Sequence, residues 1–195
     1  MAHVTQNERR AFEIEQAAWN ALNEIGATDE VDFPLSLTKL AARWDIPVQE
    51  VQFRDPRISG IISRNNGGAV ILVNERDTTV RKRFTIAHEL GHYVLHWSRS
   101  TDGPPDDRVD TERILFGASL LSKEDREANR FASALLIPAP ILSKMLEHGG
   151  NRMTDLLGAF GVSEEVLRIR IRMIRRRPWL LHEVKTATQY PLDAR

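Results

Sequence analysis

His88, Glu89 and His92 lie in the middle of the stretch RFTIAHELGHYVLHW, which runs from Arg83 to Trp97. Two imidazoles four residues apart on a helix project from one face, a turn apart, and can converge on a single ion. The carboxylate next to the first imidazole then lies beside that ion. The pattern is HExxH, the residue set of zinc-dependent peptide hydrolysis: two nitrogen ligands and a general base. A bound zinc ion lowers the pKa of its water toward about 7. Glu89 can take the proton from that water and pass it later to a leaving amine. The flanking residues sharpen the need for an ion. Phe84, Ala87, Gly91 and Leu95 form one apolar helical stripe, and Ile86, Leu90, Tyr93 and Trp97 form a second. A helix that is apolar nearly all round is buried, and buried ionisable groups are costly unless something satisfies them. Zinc held by His88 and His92 removes that cost. Two core histidines beside a salt-bridged glutamate are the alternative without a metal.

His96 continues the four-residue series, but at 1.5 Å per residue it stands about 12 Å from His88 along a straight helix. Zinc–nitrogen bonds of about 2.1 Å cannot span that distance, so His96 is placed in a structural position or at the rim of a cleft. No third histidine follows at the metzincin spacing. His3, His148 and His182 have no motif around them and read as surface residues. The third protein ligand is therefore sought on the acidic helix KEDREANRFASALLI. With Ala128 at the centre of its buried face, Glu124 and Asp125 fall roughly 40° and 60° from that centre and Glu127 about 100°. Glu127 is accordingly read as solvated. Asn129, one turn below Asp125, is placed to orient a ligand.

These groups need a scaffold. Phe12 to Ile25 reads as a first helix closed by Gly26, and Pro34 to Trp44 as a second. VQEVQF reads as a short strand, and SGIIS and AVILV as a hairpin turning at Asn66-Gly67. Thr78 or Thr79 caps the histidine-bearing helix. From Ser98 to Ser122 the chain reads as a long loop beside the cleft, with an apolar piece ILFGASLL near its end. KEDREANRFASALLI ends at Pro138, and PAPILSKMLEHGG, Met153 to Phe160 and Ser163 to Arg177 give three further helices. The last also alternates like a strand, but Ser163 is a good cap and Val166, Ile169 and Met173 share a helical face. The expected class is α+β: a small antiparallel sheet with a helical core containing the HExxH helix and the acidic third-ligand helix. Residues 1–177 are expected to form one domain, with 151–177 as its C-terminal helical part and 178–195 as a tail. AVILV, around Ile71, is the strand expected to hold an extended substrate by strand addition. Tyr93 is expected to point away from the metal face.

At 195 residues the chain is long enough for one packed core. Lys plus Arg equals Asp plus Glu at 27 each, so no overall charge draws it to nucleic acid or an anionic membrane. Six arginines between Arg168 and Arg177 could meet phosphates. Glu164 and Glu165 beside them favour a solvated, salt-bridged helix face, which argues against direct nucleic-acid binding. The absence of cysteine excludes disulfide and thiolate chemistry and fits a reducing compartment. The polar N-terminus lacks the apolar core of a signal peptide, and no apolar run approaches the 18 or so residues of a membrane span. A soluble cytoplasmic protein is expected.

Taken in order, the hairpin leading into VN, RKRFTIAHELGHYVLH, EANRFASALLIP and FGVSEEVLRIR resemble the ImmA/IrrE family of metallopeptidases over most of the chain. The resemblance implies a gluzincin-like zinc metallopeptidase holding one Zn²⁺, or another divalent ion such as Mn²⁺, through His88 and His92, with Glu89 as base. In that family the third ligand is a glutamate four residues before the Asn or Asp of the second block. Here the position is Asp125, one methylene shorter; a water-bridged contact or ligation by Glu124 are the alternatives. The resemblance further implies a protein substrate. That substrate would be a helix-turn-helix transcriptional repressor, cleaved or otherwise inactivated during phage or mobile-element induction or a stress response. The rival is a non-catalytic, metal-containing module that sequesters such a repressor.

Overall fold

The computed structural model describes residues 5–65, 68–97, 110–111, 122–149 and 152–181. Helix α1 (Gln6–Glu24) starts with a capping box between Thr5 and Glu8 and buries Phe12, Ile14, Ala18, Trp19 and Leu22. It gives way to Gly26, whose φ of 69° lies in the left-handed region that glycine enters without a Cβ clash. Helix α2 (Leu37–Arg43) is shorter than Pro34 to Trp44 because Ser36 caps it, accepting from the Lys39 N–H.

The strands are β1 (Val48–Val51), β2 (Ile58–Asn65), β3 (Gly68–Asn74) and β4 (Asp110–Thr111), in the order β1-β3-β2-β4. The α+β class is as expected, and β2 and β3 form the antiparallel hairpin, with Ile62 opposite Ile71. The sheet is mixed rather than wholly antiparallel, because β1 runs parallel to β3. Strand β3 returns between β1 and β2 and becomes the centre of the sheet, which is why Ala69, Val70, Ile71 and Val73 are all buried. The same placement overturns strand addition at Ile71: both edges of β3 are already paired. Strand β4 pairs with β2 inside the stretch expected to be loop. The rest of residues 98–121, including ILFGASLL, and the Asn66-Gly67 turn lie outside the described residues.

Helix α3 (Thr79–His92) is capped by Thr78, which accepts from the Arg81 N–H, and runs on into a π-helical turn at Tyr93–Trp97. It is held on two sides by close backbone approach at glycines. A Cβ on Gly91 would stand 3.1 Å from both Cα and O of Ala128, so α3 and helix α4 (Lys123–Leu136) touch there backbone to backbone. On the sheet side, a Cβ on Gly60 of β2 would fall 2.3 Å from Cγ2 of Thr85 and 3.0 Å from O of Leu72. Gly60→Ala is therefore expected to destabilise the fold by about 1–3 kcal/mol through overpacking. Adding Thr85→Ser, which removes the clashing methyl, should restore part of the loss in urea unfolding. An unchanged midpoint for Gly60→Ala would show that α3 is not seated so closely on the sheet.

Helices α5 (Ala139–Glu147), α6 (Met153–Phe160) and α7 (Glu164–Arg175) complete the core. Helix α7 is indeed helical, capped by Ser163. Its buried face runs through Val166, Leu167, Arg170 and Ile174 rather than Val166, Ile169 and Met173. That offset carries Arg170 inward, where it is 1% exposed and bonds both oxygens of Glu15 at 2.7 and 2.8 Å and the Ile137 carbonyl at 2.9 Å. At least this arginine of the basic run is a core residue, not part of a solvated face. Arg168 fits the surface reading, paired with Glu164 at 2.6 Å. Pro178–Leu181, at the start of the expected tail, forms a 3-10 turn that buries Leu180 completely.

Candidate metal centre

The C-terminal half of α3 presents His88, Glu89 and His92, which are 0%, 0% and 3% exposed. The two Nε2 atoms stand 2.9 Å apart. From the first turn of α4, Asp125 brings Oδ1 to 3.5 Å from Nε2 of His92. One ligand atom from each of the three residues lies within 4.8 Å of the others, and among the described residues this is the one such cluster of histidine, aspartate or glutamate. The acidic residue in this cluster is Asp125. Donors around a tetrahedral ion at about 2.1 Å stand about 3.4 Å apart. The His92–Asp125 separation matches that value, and the histidine pair closes to within about half an ångström of it. Two imidazole nitrogens and a carboxylate oxygen form a donor set suited to zinc.

Neighbouring polar groups orient this set. Asn129 Oδ1 lies 2.9 Å from Nδ1 of His88. An amide oxygen can only accept, so this contact puts the His88 proton on Nδ1 and leaves the Nε2 lone pair facing His92. Asn129 thus acts on His88 from one turn below Asp125. Asp125 itself has a second task. Its Oδ2 accepts from the Ser122 N–H at 3.0 Å while Ser122 Oγ accepts from the Asp125 N–H at 3.0 Å. This capping box starts α4 and fixes one carboxylate oxygen, which turns the other toward His92. The adjacent His92 ring, with Ser122 assisting and burial opposing, holds the Asp125 carboxyl well below the usual carboxylate range.

Glu127 is not solvated, contrary to the helical-wheel expectation. It is 8% exposed, and its Oε2 accepts from Arg10 of α1 at 2.5 Å from Nη2 and 3.0 Å from Nε. Burial pushes its pKa up, but the Arg10 hydrogen bonds together with the charges of Arg10, His96 and Lys123 outweigh that, and the net shift is downward. His96 lies beside the site and outside the ligand cluster, its ring centroid 5.7 Å from that of His92 and its Nε2 3.9 Å from Glu127. Burial lowers its pKa. Tyr93 stacks on Trp44, with ring centroids 5.9 Å apart. His148 is exposed and paired with Glu30 at 3.0 Å, whereas His3 and His182 lie outside the described residues.

The Glu89 carboxylate sits between α3 and β2, with Oε1 3.7 Å from where a Cβ on Gly60 would be. Gly60, Ser122 and Arg10 are the site neighbours that sequence reasoning passed over. A glycine inside a strand run is a signal of close backbone approach, and Ser122 three residues before a carboxylate signals a capping box. Arg10 has no local signal at all.

A sequence model of the IrrE N-terminal-like domain, a peptidase family, matches residues 41–172. The chain belongs to this family. The matched region of the IrrE N-terminal-like domain contains α3 and α4 and hence every residue of the cluster, while α1 precedes it. The chain is similar to the radiation response metalloprotease IrrE of Deinococcus radiodurans, with 36% identity over 81 residues covering 42% of this chain and 23% of that protein. It is also similar to the metallopeptidase ImmA of Bacillus subtilis, with 26% identity over 91 residues covering 46% of this chain and 48% of the relative. The chain thus spans less than half the length of each of these relatives. Among the described residues, no helix is long and apolar enough to cross a membrane.

Proposed function

We propose that this IrrE N-terminal-like domain is a zinc-dependent endopeptidase, gluzincin-like in its ligand set, and that residues 1–177 form its functional unit. The observation that carries the reading is the convergence of His88, His92 and Asp125 from two helices, with Glu89 buried next to the first histidine. His88, His92 and Asp125 would hold the ion. Bound there, Zn²⁺ supplies Lewis acidity and lowers the pKa of water toward about 7. Asn129 keeps the His88 lone pair directed into the site. The Glu89 carboxylate accepts a proton from the attacking water as its oxygen adds to the peptide carbonyl carbon. Glu89 then returns that proton to the amide nitrogen as the C–N bond breaks, leaving a carboxylic acid and an amine, which exchange a proton to become carboxylate and ammonium.

The substrate proposed is a helix-turn-helix transcriptional repressor, on the strength of the resemblance to ImmA/IrrE proteins. Purified protein is expected to carry close to one divalent ion per chain, as a three-ligand catalytic site does, and His88→Ala or His92→Ala should remove nearly all of it. Proteolysis should be confined to a regulatory partner, with casein left intact. Finding no metal in either native or zinc-supplemented protein would sink the enzyme reading.

A further inference from the structure

We propose that Arg10 and Glu127 are positioning residues for the metal centre, fixing the rotation of α4 so that Asp125 meets the two histidines. This rests on the metal-site reading above. Asp125 is held internally by its capping box with Ser122, but that box moves with α4 and does not fix the helix against α3. The backbone contact at Gly91 and Ala128 supplies one fixed point between α3 and α4. Asn129 adds a bond to His88 beside it, so both contacts bear on the α3-facing side of α4 and neither reaches the flank that carries Glu127. A roll of about 20° moves side-chain atoms about 5 Å from the axis by nearly 2 Å, comparable to the whole length of a zinc–ligand bond of about 2.1 Å.

The hold on that opposite flank comes from α1. Glu127 lies two residues beyond Asp125, about 160° away around the helix, so a grip on Glu127 opposes any roll that would withdraw Asp125. Arg10 provides that grip with two hydrogen bonds to Glu127 Oε2, and is itself braced by Glu13 at 3.1 Å. Further along the same two helices, Glu15 of α1 approaches Arg130 of α4 at 3.5 Å. Glu15 is in turn fixed by the buried Arg170. Helix α1 thus holds α4 at two levels, and it does so from outside the residues the family model matches.

The test is zinc affinity, measured by competition with a chromophoric chelator at a temperature where circular dichroism shows every variant folded. Arg10→Met keeps the alkyl stem and Glu127→Gln keeps the shape of the side chain. Each is expected to weaken zinc binding about tenfold, at the low end for residues acting behind a ligand. Combining them should weaken it no further, because both remove one contact. Thr5→Ala, which removes the α1 cap without touching α4, should lower the melting temperature and leave zinc affinity unchanged. Parental affinity in both single variants, or an equal loss in Thr5→Ala, would overturn the positioning role while leaving the metal site standing. A parent protein that binds no zinc overturns the metal reading and this inference with it.

Discussion

Glu89→Gln is expected to slow peptide hydrolysis by at least about a hundredfold while leaving the metal content unchanged. The substitution keeps the volume of a side chain that is 0% exposed and packed between α3 and β2, so the helix should stay seated. It removes the one property hydrolysis needs from that position, a carboxylate able to accept and return a proton. General acid–base catalysis contributes about 10²–10⁴-fold, and turnover should fall by that amount. Glu89 is outside the His88, His92 and Asp125 cluster, so the ion should be retained. The measurement pairs cleavage of a candidate repressor with metal content by mass spectrometry on the same samples. A Glu89→Gln protein that still inactivates its partner acts by holding it, which is the behaviour of a non-catalytic binding module. Loss of the metal in this variant would instead place Glu89 among the ligands.

The parts of this site that could be read in the sequence are those set by short-range chemistry. HExxH places two imidazoles on one helical face by backbone geometry alone, and Thr78 and Ser163 mark helix starts through bonds to N–H groups three residues away. The register of Asp125 and Asn129 on α4 follows from the same 3.6-residue period. What escaped depends on partners far along the chain. Glu127 reads as solvated until Arg10, 117 residues earlier, is placed against it. Arg170 looks like one more cation in a basic run, yet Glu15, 155 residues away, compensates its charge in the core. The parallel pairing of β1 with β3 likewise needs tertiary placement, since an alternating run such as VQEVQF carries no information about the direction of its neighbour. Once β3 is central, its apolar run is explained by burial on both faces, and it cannot also be an edge for substrate.

Asp125→Ala should lower zinc affinity by about a hundredfold or more, beyond the 10–100-fold typical of a residue that only supports a ligand. Three observations set that expectation: Asp125 Oδ1 lies 3.5 Å from His92 Nε2, its Oδ2 is fixed by Ser122, and its negative charge partly neutralises a dication, which neither imidazole can do. Asp125→Asn keeps an acceptor for the Ser122 N–H and loses the charge, so its affinity should fall between those of the parent and Asp125→Ala. Asp125→Glu restores the side chain usual at this position of a capping box. It should bind zinc at least as tightly as the parent, provided the Gly91 contact with Ala128 leaves room for the added methylene. Glu127→Ala acts only through the seating of α4 and should cost about tenfold. The ranking is the decisive result, read by the same chelator competition across the series. If Glu127→Ala proves the more damaging and Asp125→Ala is silent, the ligand face of α4 is misassigned. If Asp125→Ala is silent and Glu124→Ala releases the metal, the third ligand is Glu124, and the short side chain at 125 serves the helix cap alone.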